Sequence, residues 1–199
     1  MTGPFYHRGS RDLQARLGTE RLAARLADRY VEDGLSDGDV ALVTAADCFF
    51  LATADHLGRP DCSYKGGLPG FVRVRDRRTL EFPSYDGNGM FRSLGNVLVN
   101  PAVGLLFIDR GRPIKLRING TAAVSTDPRD TARFDGADAV VTVAVREVFE
   151  NCPRYLHDPV TGEPSKHCPR PDYTPPDPAW KGKPEYDGIV RRTGVPESP

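Results

Sequence analysis

The sequence predicts a mainly β chain of the α+β class: a small closed or split β-barrel of about six antiparallel strands, with helices ahead of it and a proline-rich arm behind it. Three observations predict this. Apolar residues recur at helical spacing up to residue 46, then give way to short apolar runs and strict alternation broken by turns. There is no strand-helix-strand alternation of the kind a doubly wound sheet requires. Eleven of the 18 prolines fall after residue 152, where they bar both helix and central strand. The expected division is a helical extension at 1–46, a barrel at 47–151 and an arm at 152–199.

Each element has its own reason. In 11–30, Leu13 and Leu17 lie four apart, as do Leu22, Leu26 and Tyr30, giving apolar helical stripes. Gly18-Thr19 should break this run, with Thr19 capping the second piece. Residues 36–46 read as a short helix with acidic residues at its start. The task of these helices is packing. Residues 48–54 form an apolar run short enough for a buried strand, Asp55-His56-Leu57-Gly58 turns, and 61–66 returns. Strands at 71–74 and 80–82 flank a turn at 75–78. A helix is expected over 88–99, then a strand over 102–108. Ile114, Leu116 and Ile118 alternate with Lys115, Arg117 and Asn119, so one face is buried and the other polar. A short helix near 129–134 precedes a valine-rich strand at 139–149. In the arm, Tyr155, Tyr173, Trp180 and Tyr186 suggest docking on a surface, such as a partner subunit.

Composition limits the function. A chain of 199 residues suits one domain with extensions, or two small ones, and 39% hydrophobic residues can build a core. With 27 basic and 27 acidic residues, nothing argues for a nucleic-acid surface or a membrane-binding basic patch. No apolar run approaches the roughly 18 residues of a membrane span, and the first 25 residues lack the apolar core of a secretory signal. Four cysteines make no disulfide framework, so a cytoplasmic setting is expected.

The most informative run is Tyr85-Asp86-Gly87-Asn88-Gly89-Met90-Phe91-Arg92-Ser93-Leu94-Gly95-Asn96, followed by Asn100-Pro101. It reads as a glycine-loosened turn entering a helix-like segment with Arg92 and Ser93 in its first turn. Free N–H groups and partial positive charge at a helix start suit a phosphate. Gly87 and Gly89 allow close approach, Asn88 can cap the helix, and Arg92 offers a guanidinium fork. Taken alone, such a turn is commonly only a turn.

The text around it is more specific. Ahead stands Phe49-Phe50-Leu51-Ala52-Thr53-Ala54-Asp55-His56-Leu57-Gly58-Arg59-Pro60-Asp61-Cys62-Ser63-Tyr64-Lys65-Gly66-Gly67, and behind stands Val99-Asn100-Pro101-Ala102-Val103-Gly104-Leu105-Leu106-Phe107. From about Asp47 to Val124 this order resembles the pyridoxamine 5′-phosphate oxidase-like family of FMN-binding split β-barrels. The later Asn151-Cys152-Pro153-Arg154-Tyr155 resembles a subgroup of it. The resemblance implies a homodimer with the flavin between subunits, and oxidoreduction of a small molecule by hydride transfer through flavin N5, with NAD(P)H as a possible donor.

It also implies roles for residues. Period two puts Asp61, Ser63 and Lys65 on one face of their strand, with Cys62 and Tyr64 on the other. Ser63, Tyr64 and Lys65 would contact the flavin, with Lys65 stabilising its anionic reduced form. Pro83 would offer a carbonyl or its ring. Asn88, Gly89, Met90, Arg92, Ser93 and Asn96 would hold phosphate and ribityl hydroxyls. Arg112, Lys115 and Arg117 read either as a solvated face or as a source of one residue reaching the partner's flavin, with Arg117 the choice. No catalytic residue stands out; Lys65, Arg154 and Tyr155 are candidates.

The chain departs from the oxidases themselves. They place an Arg-Lys pair at the helix start, where this chain is expected to have Gly89-Met90 with Arg92 later. Their basic C-terminal segment is also missing, which argues against pyridoxamine phosphate oxidation. The deazaflavin F420 is the alternative cofactor, although its longer tail needs a more basic groove. A non-catalytic flavin-binding or sensor protein is the alternative to an enzyme. Cys152, His157, His167 and Cys168 cluster without a familiar zinc spacing, so no metal is expected.

Overall fold

The structure is a computed structural model and describes residues 5–109, 111–158 and 160–195. The chain divides into two units: Glu32–Asn151, and Met1–Val31 together with Cys152–Pro199.

The first unit holds one sheet of seven antiparallel strands: β1 (Cys48–Ala54), β2 (Pro60–Gly66), β3 (Arg73–Asp76), β4 (Thr79–Tyr85), β5 (Ala102–Ile108), β6 (Lys115–Ser125) and β7 (Ala137–Asn151). Their order is β2-β1-β5-β6-β7-β4-β3. Strands β2 and β3 end the order without pairing to each other, as in a split rather than a closed barrel. Alternation selects the buried face: Phe49, Leu51 and Thr53 of β1, Val103, Leu105 and Phe107 of β5, and Leu116, Ile118, Gly120 and Ala122 of β6 all point inward. Phe49 is the hub, with ring centroids 4.9 Å from Phe82, 5.0 Å from Phe107 and 6.0 Å from Phe71. The sheet can twist between β6 and β7 because Gly120 lies at a register shift, where a Cβ would stand 2.2 Å from the Ala144 carbonyl oxygen.

Three short helices frame the sheet's connections. Helix α3 (Asp37–Ala45) opens on a capping box, Ser36 with Asp39, as the acidic start predicts. Helix α4 (Arg92–Val99) is shorter than expected, beginning four residues later than residue 88. Its N-cap is Phe91 in the left-handed region (φ 47°), and no side chain caps it. Asn88 is therefore not the cap; its Oδ1 accepts from the Met90 N–H at 3.0 Å within the turn. Helix α5 (Pro128–Thr131) sits before β7. Next to it the buried Glu81 accepts from Arg133 at 2.7 and 3.1 Å, from Thr142 at 3.2 Å and from Arg75 at 3.3 Å.

In the second unit, α1 (Arg8–Leu17) ends at Gly18, which adopts a left-handed cap, and α2 (Glu20–Tyr30) follows. Thr19 makes no side-chain cap bond, contrary to the sequence expectation. Leu13 and Leu17 are exposed, so α1 buries none of its residues. The arm folds onto its own chain. Tyr186 is fully buried, its hydroxyl 3.2 Å from that of Tyr30, its ring edge-on to Trp180, and Glu185 pairs with Arg29 at 3.2 Å. Two 3-10 turns, Ala179–Gly182 and Pro184–Tyr186, carry these contacts. Asp177 draws in Lys181, Thr193 and Gly194, which hold its carboxyl down at about 2 against the opposing push of burial.

Candidate functional site: a cleft between an edge strand and a helix start

The inward face of β2 makes one wall. Register pairs Asp61 with Thr53, Ser63 with Leu51 and Lys65 with Phe49, so these three polar side chains extend the core face of β1 at the sheet edge. The second wall is the end of β4, Ser84 and Tyr85, with the turn and first residues of α4. Together they enclose a cleft of about 300 Å³.

The polar groups in it are specific. Lys65 Nζ donates to Ser93 Oγ at 2.9 Å, joining β2 to the first turn of α4. Burial lowers the Lys65 pKa, and the nearby Asp61 carboxylate opposes that shift. Arg92 Nε lies 3.7 Å from Asp61 Oδ1. The Ser63 hydroxyl is buried without a hydrogen-bond partner, although a buried hydroxyl normally has one. The first-turn N–H groups of α4 have no intrahelical acceptor and no side-chain cap. No acidic residue lies in that turn. A Cβ at Gly87 or Gly89 would meet nothing within 4 Å, so open space lies beside both backbones, and φ of +72° makes glycine the suited residue at 89. The arrangement can receive an anion and offers a donor to a polar group lying along β2.

Of the eleven residues expected to contact the cofactor, Ser63, Lys65, Asn88, Gly89, Met90, Arg92 and Ser93 line the cleft. The other four lie elsewhere. Tyr64 alternates to the opposite face and meets Phe50 edge-on at 5.9 Å. Pro83 is buried in β4 opposite Val140. Asn96 lies one turn deeper and donates to Thr53 Oγ1 at 3.0 Å, anchoring α4 to β1. Arg117 is exposed on β6, 5.9 Å from the Phe149 ring centroid. Arg154 and Tyr155 belong to the other unit, where Arg154 Nε donates to Cys152 Sγ at 3.3 Å. Arg112 is held by Asp109 at 2.8 Å. Among the described residues, no group of three or more His, Cys, Asp or Glu is placed to hold a metal.

Arg92 and Ser93 stand in the first turn of α4, as the sequence reading places them, and Gly89 and Met90 lie in the turn ahead of it rather than at the helix start. An arginine therefore does stand there. A serine follows it, and the ammonium beside that serine comes from β2. Asp61, which period two sets on the face of Ser63 and Lys65, also lines the cleft, as do Ser84, Tyr85 and Phe91, to which the sequence assigned no contact.

The sequence model of the pyridoxamine 5′-phosphate oxidase family matches residues 36–152, which contain the whole cleft. This chain belongs to that family. Pyridoxamine 5′-phosphate oxidase-like proteins bind flavin-type cofactors and include oxidoreductases. A search of curated proteins found no match. Among solved structures, HupZ of Group A Streptococcus is similar at 21% identity and TM-score 0.46, covering 66% of this chain and 98% of its own. A candidate pyridoxamine 5′-phosphate oxidase of Lactobacillus delbrueckii gives 24% identity and TM-score 0.49, covering 59% of this chain and 95% of its own. An F420 reductase gives 21% and 0.40, covering 59% and 98%. Helices α1 and α2 and the C-terminal arm lie outside the family match.

Proposed function

We propose that the cleft holds FMN and that the protein is an FMN-dependent oxidoreductase acting on a small molecule. The observation behind the reading is a convergence in one cleft: a partnerless buried hydroxyl, a half-buried ammonium, an arginine and an uncapped helix start. Arg92, Ser93 and the first-turn N–H groups would take the phosphate. Gly87 and Gly89 would let the backbone approach it. Ser63 and Lys65 would face the ring, Ser63 gaining the hydrogen-bond partner it lacks. Bound FMN would supply hydride transfer through N5. The part of Lys65 would be electrostatic: an ammonium held in a half-dry site stabilises negative charge collecting beside it.

A second copy of the chain belongs to this reading. The cleft's volume of about 300 Å³ lies at the bottom of the range of ligand pockets. A homodimer closing over it would complete the enclosure, with Arg117 a candidate to reach across and Arg154 and Tyr155 candidates to face the substrate. The proposed setting is the cytoplasm, which suits four cysteines that form no disulfide. Among the described residues no helix is long and apolar enough to cross a membrane.

The test is an absorbance spectrum of the purified protein, then addition of FMN and of NAD(P)H. Flavin bands that bleach with NAD(P)H are expected. A colourless protein that takes up no added FMN contradicts the reading, and uptake of F420 alone would change the cofactor.

A further inference from the structure

The cleft carries one charge that opposes its ligand. Lys65 and Arg92 are its cations and Asp61 its carboxylate. Asp61 is the sheltered member of the Asp61–Arg92 pair: its side chain is 22% exposed, that of Arg92 68%. It is fixed on a hydrogen-bonded strand, two residues before Ser63 and four before Lys65 on the same face. Its charge reaches both cations, standing 3.7 Å from Arg92 and stabilising the Lys65 ammonium against burial.

Resting on the flavin-phosphate reading, we propose that Asp61 is an affinity-limiting counter-charge: it holds Arg92 in the ligand-free protein, and an incoming phosphate must take Arg92 from it. An ion pair to so exposed an arginine is weak, so the exchange is easy. The carboxylate stays after the exchange, and its repulsion of a phosphomonoester falls with distance and with salt. Asp61 therefore repels the charged tail of the ligand, a penalty that an uncharged ring does not meet. It makes the cleft a site that takes up and releases a phosphorylated ligand, not one that retains it permanently.

Asp61→Asn removes the charge and keeps the shape; Asp61→Ser removes the charge with a smaller side chain. FMN and riboflavin are titrated against each by quenching of flavin fluorescence. In both variants FMN binds about tenfold tighter, as expected for losing one nearby like charge, and riboflavin gains no affinity. The gain shrinks at high salt and in an Arg92→Ala background. An unchanged FMN affinity, or an equal gain for riboflavin, overturns the proposal. If neither flavin binds any of these proteins, the flavin reading has failed, and inorganic phosphate decides the inference separately. The variants should then bind phosphate more tightly than the parent, read by thermal shift, and an equal response of parent and variants overturns it.

Discussion

Ser63 shows how a single atom can report a function. A buried hydroxyl with no partner costs the folded chain about 1–3 kcal/mol. Ser63→Ala should therefore raise stability by about 1 kcal/mol, read as a higher Tm, while weakening FMN binding by up to about tenfold. A variant that gains stability and keeps full affinity would leave the hydroxyl with no ligand to meet. Lys65 gives a pH-dependent counterpart. Its pKa in the folded chain is lowered by burial, with Asp61 opposing. Below that value folded and unfolded chains both carry the proton, and the buried charge is a cost. As pH rises toward the ordinary lysine value of 10.5, the folded chain releases its proton first and the cost fades. Lys65→Met should thus be more stable than the parent at neutral pH, with the gap closing toward pH 10 in denaturant titrations. The alternation that separates Ser63 and Lys65 from Tyr64 was legible in the sequence, because period two is set by the backbone alone. The lack of a partner for Ser63 was not, because it depends on what β4 and α4 leave open.

At the scale of elements, strand existence was easier to read than helix starts. The apolar runs at 48–54 and 102–108 coincide with β1 and β5, because each buried strand is one uninterrupted pattern. Helix α4 was misplaced because Asn88 looks like a cap, whereas the turn continues to Phe91, a residue type that rarely adopts positive φ. Only the fold, which ties Asn96 to Thr53 and Ser93 to Lys65, holds the helix to that start. Glu81 in β4 was likewise invisible: an acidic residue in a strand reads as solvent-facing, yet it lies buried under Arg133. Burial pushes its pKa up, but the hydrogen bonds and charge of Arg133, with Arg75 and Thr142, outweigh that and hold it below the ordinary 4.5. The stability it contributes is present above pH 4.5 and is lost as pH falls through the lowered value. Glu81→Gln should cost about 2 kcal/mol at pH 7, discounted for the partly exposed arginines. The cost should shrink in acid, as followed by urea unfolding.

At the scale of the molecule, the cleft and all but the last residue of the family match lie within the unit from Glu32 to Asn151, while α1, α2 and the arm make the other. The change of composition at residue 152 was legible from the prolines. That the arm folds with α2 was not, since the pairing of Tyr30 with Tyr186 spans 156 residues and neither has a local signal for the other. Tyr186→Ala should destabilise that unit by about 3–5 kcal/mol, the range for emptying a large aromatic site. Hydrogen exchange would rise in α2 and in residues 179–186, and unchanged protection there would show that the buried tyrosine is not its anchor. The cleft itself is tested most directly by titrating FMN into the parent protein and into Arg92→Ala, with tryptophan and flavin fluorescence as readouts. Saturable binding by the parent, weakened at least tenfold without the guanidinium, is the expected result. No binding by the parent, or equal binding by both, would contradict a flavin phosphate held at the start of α4.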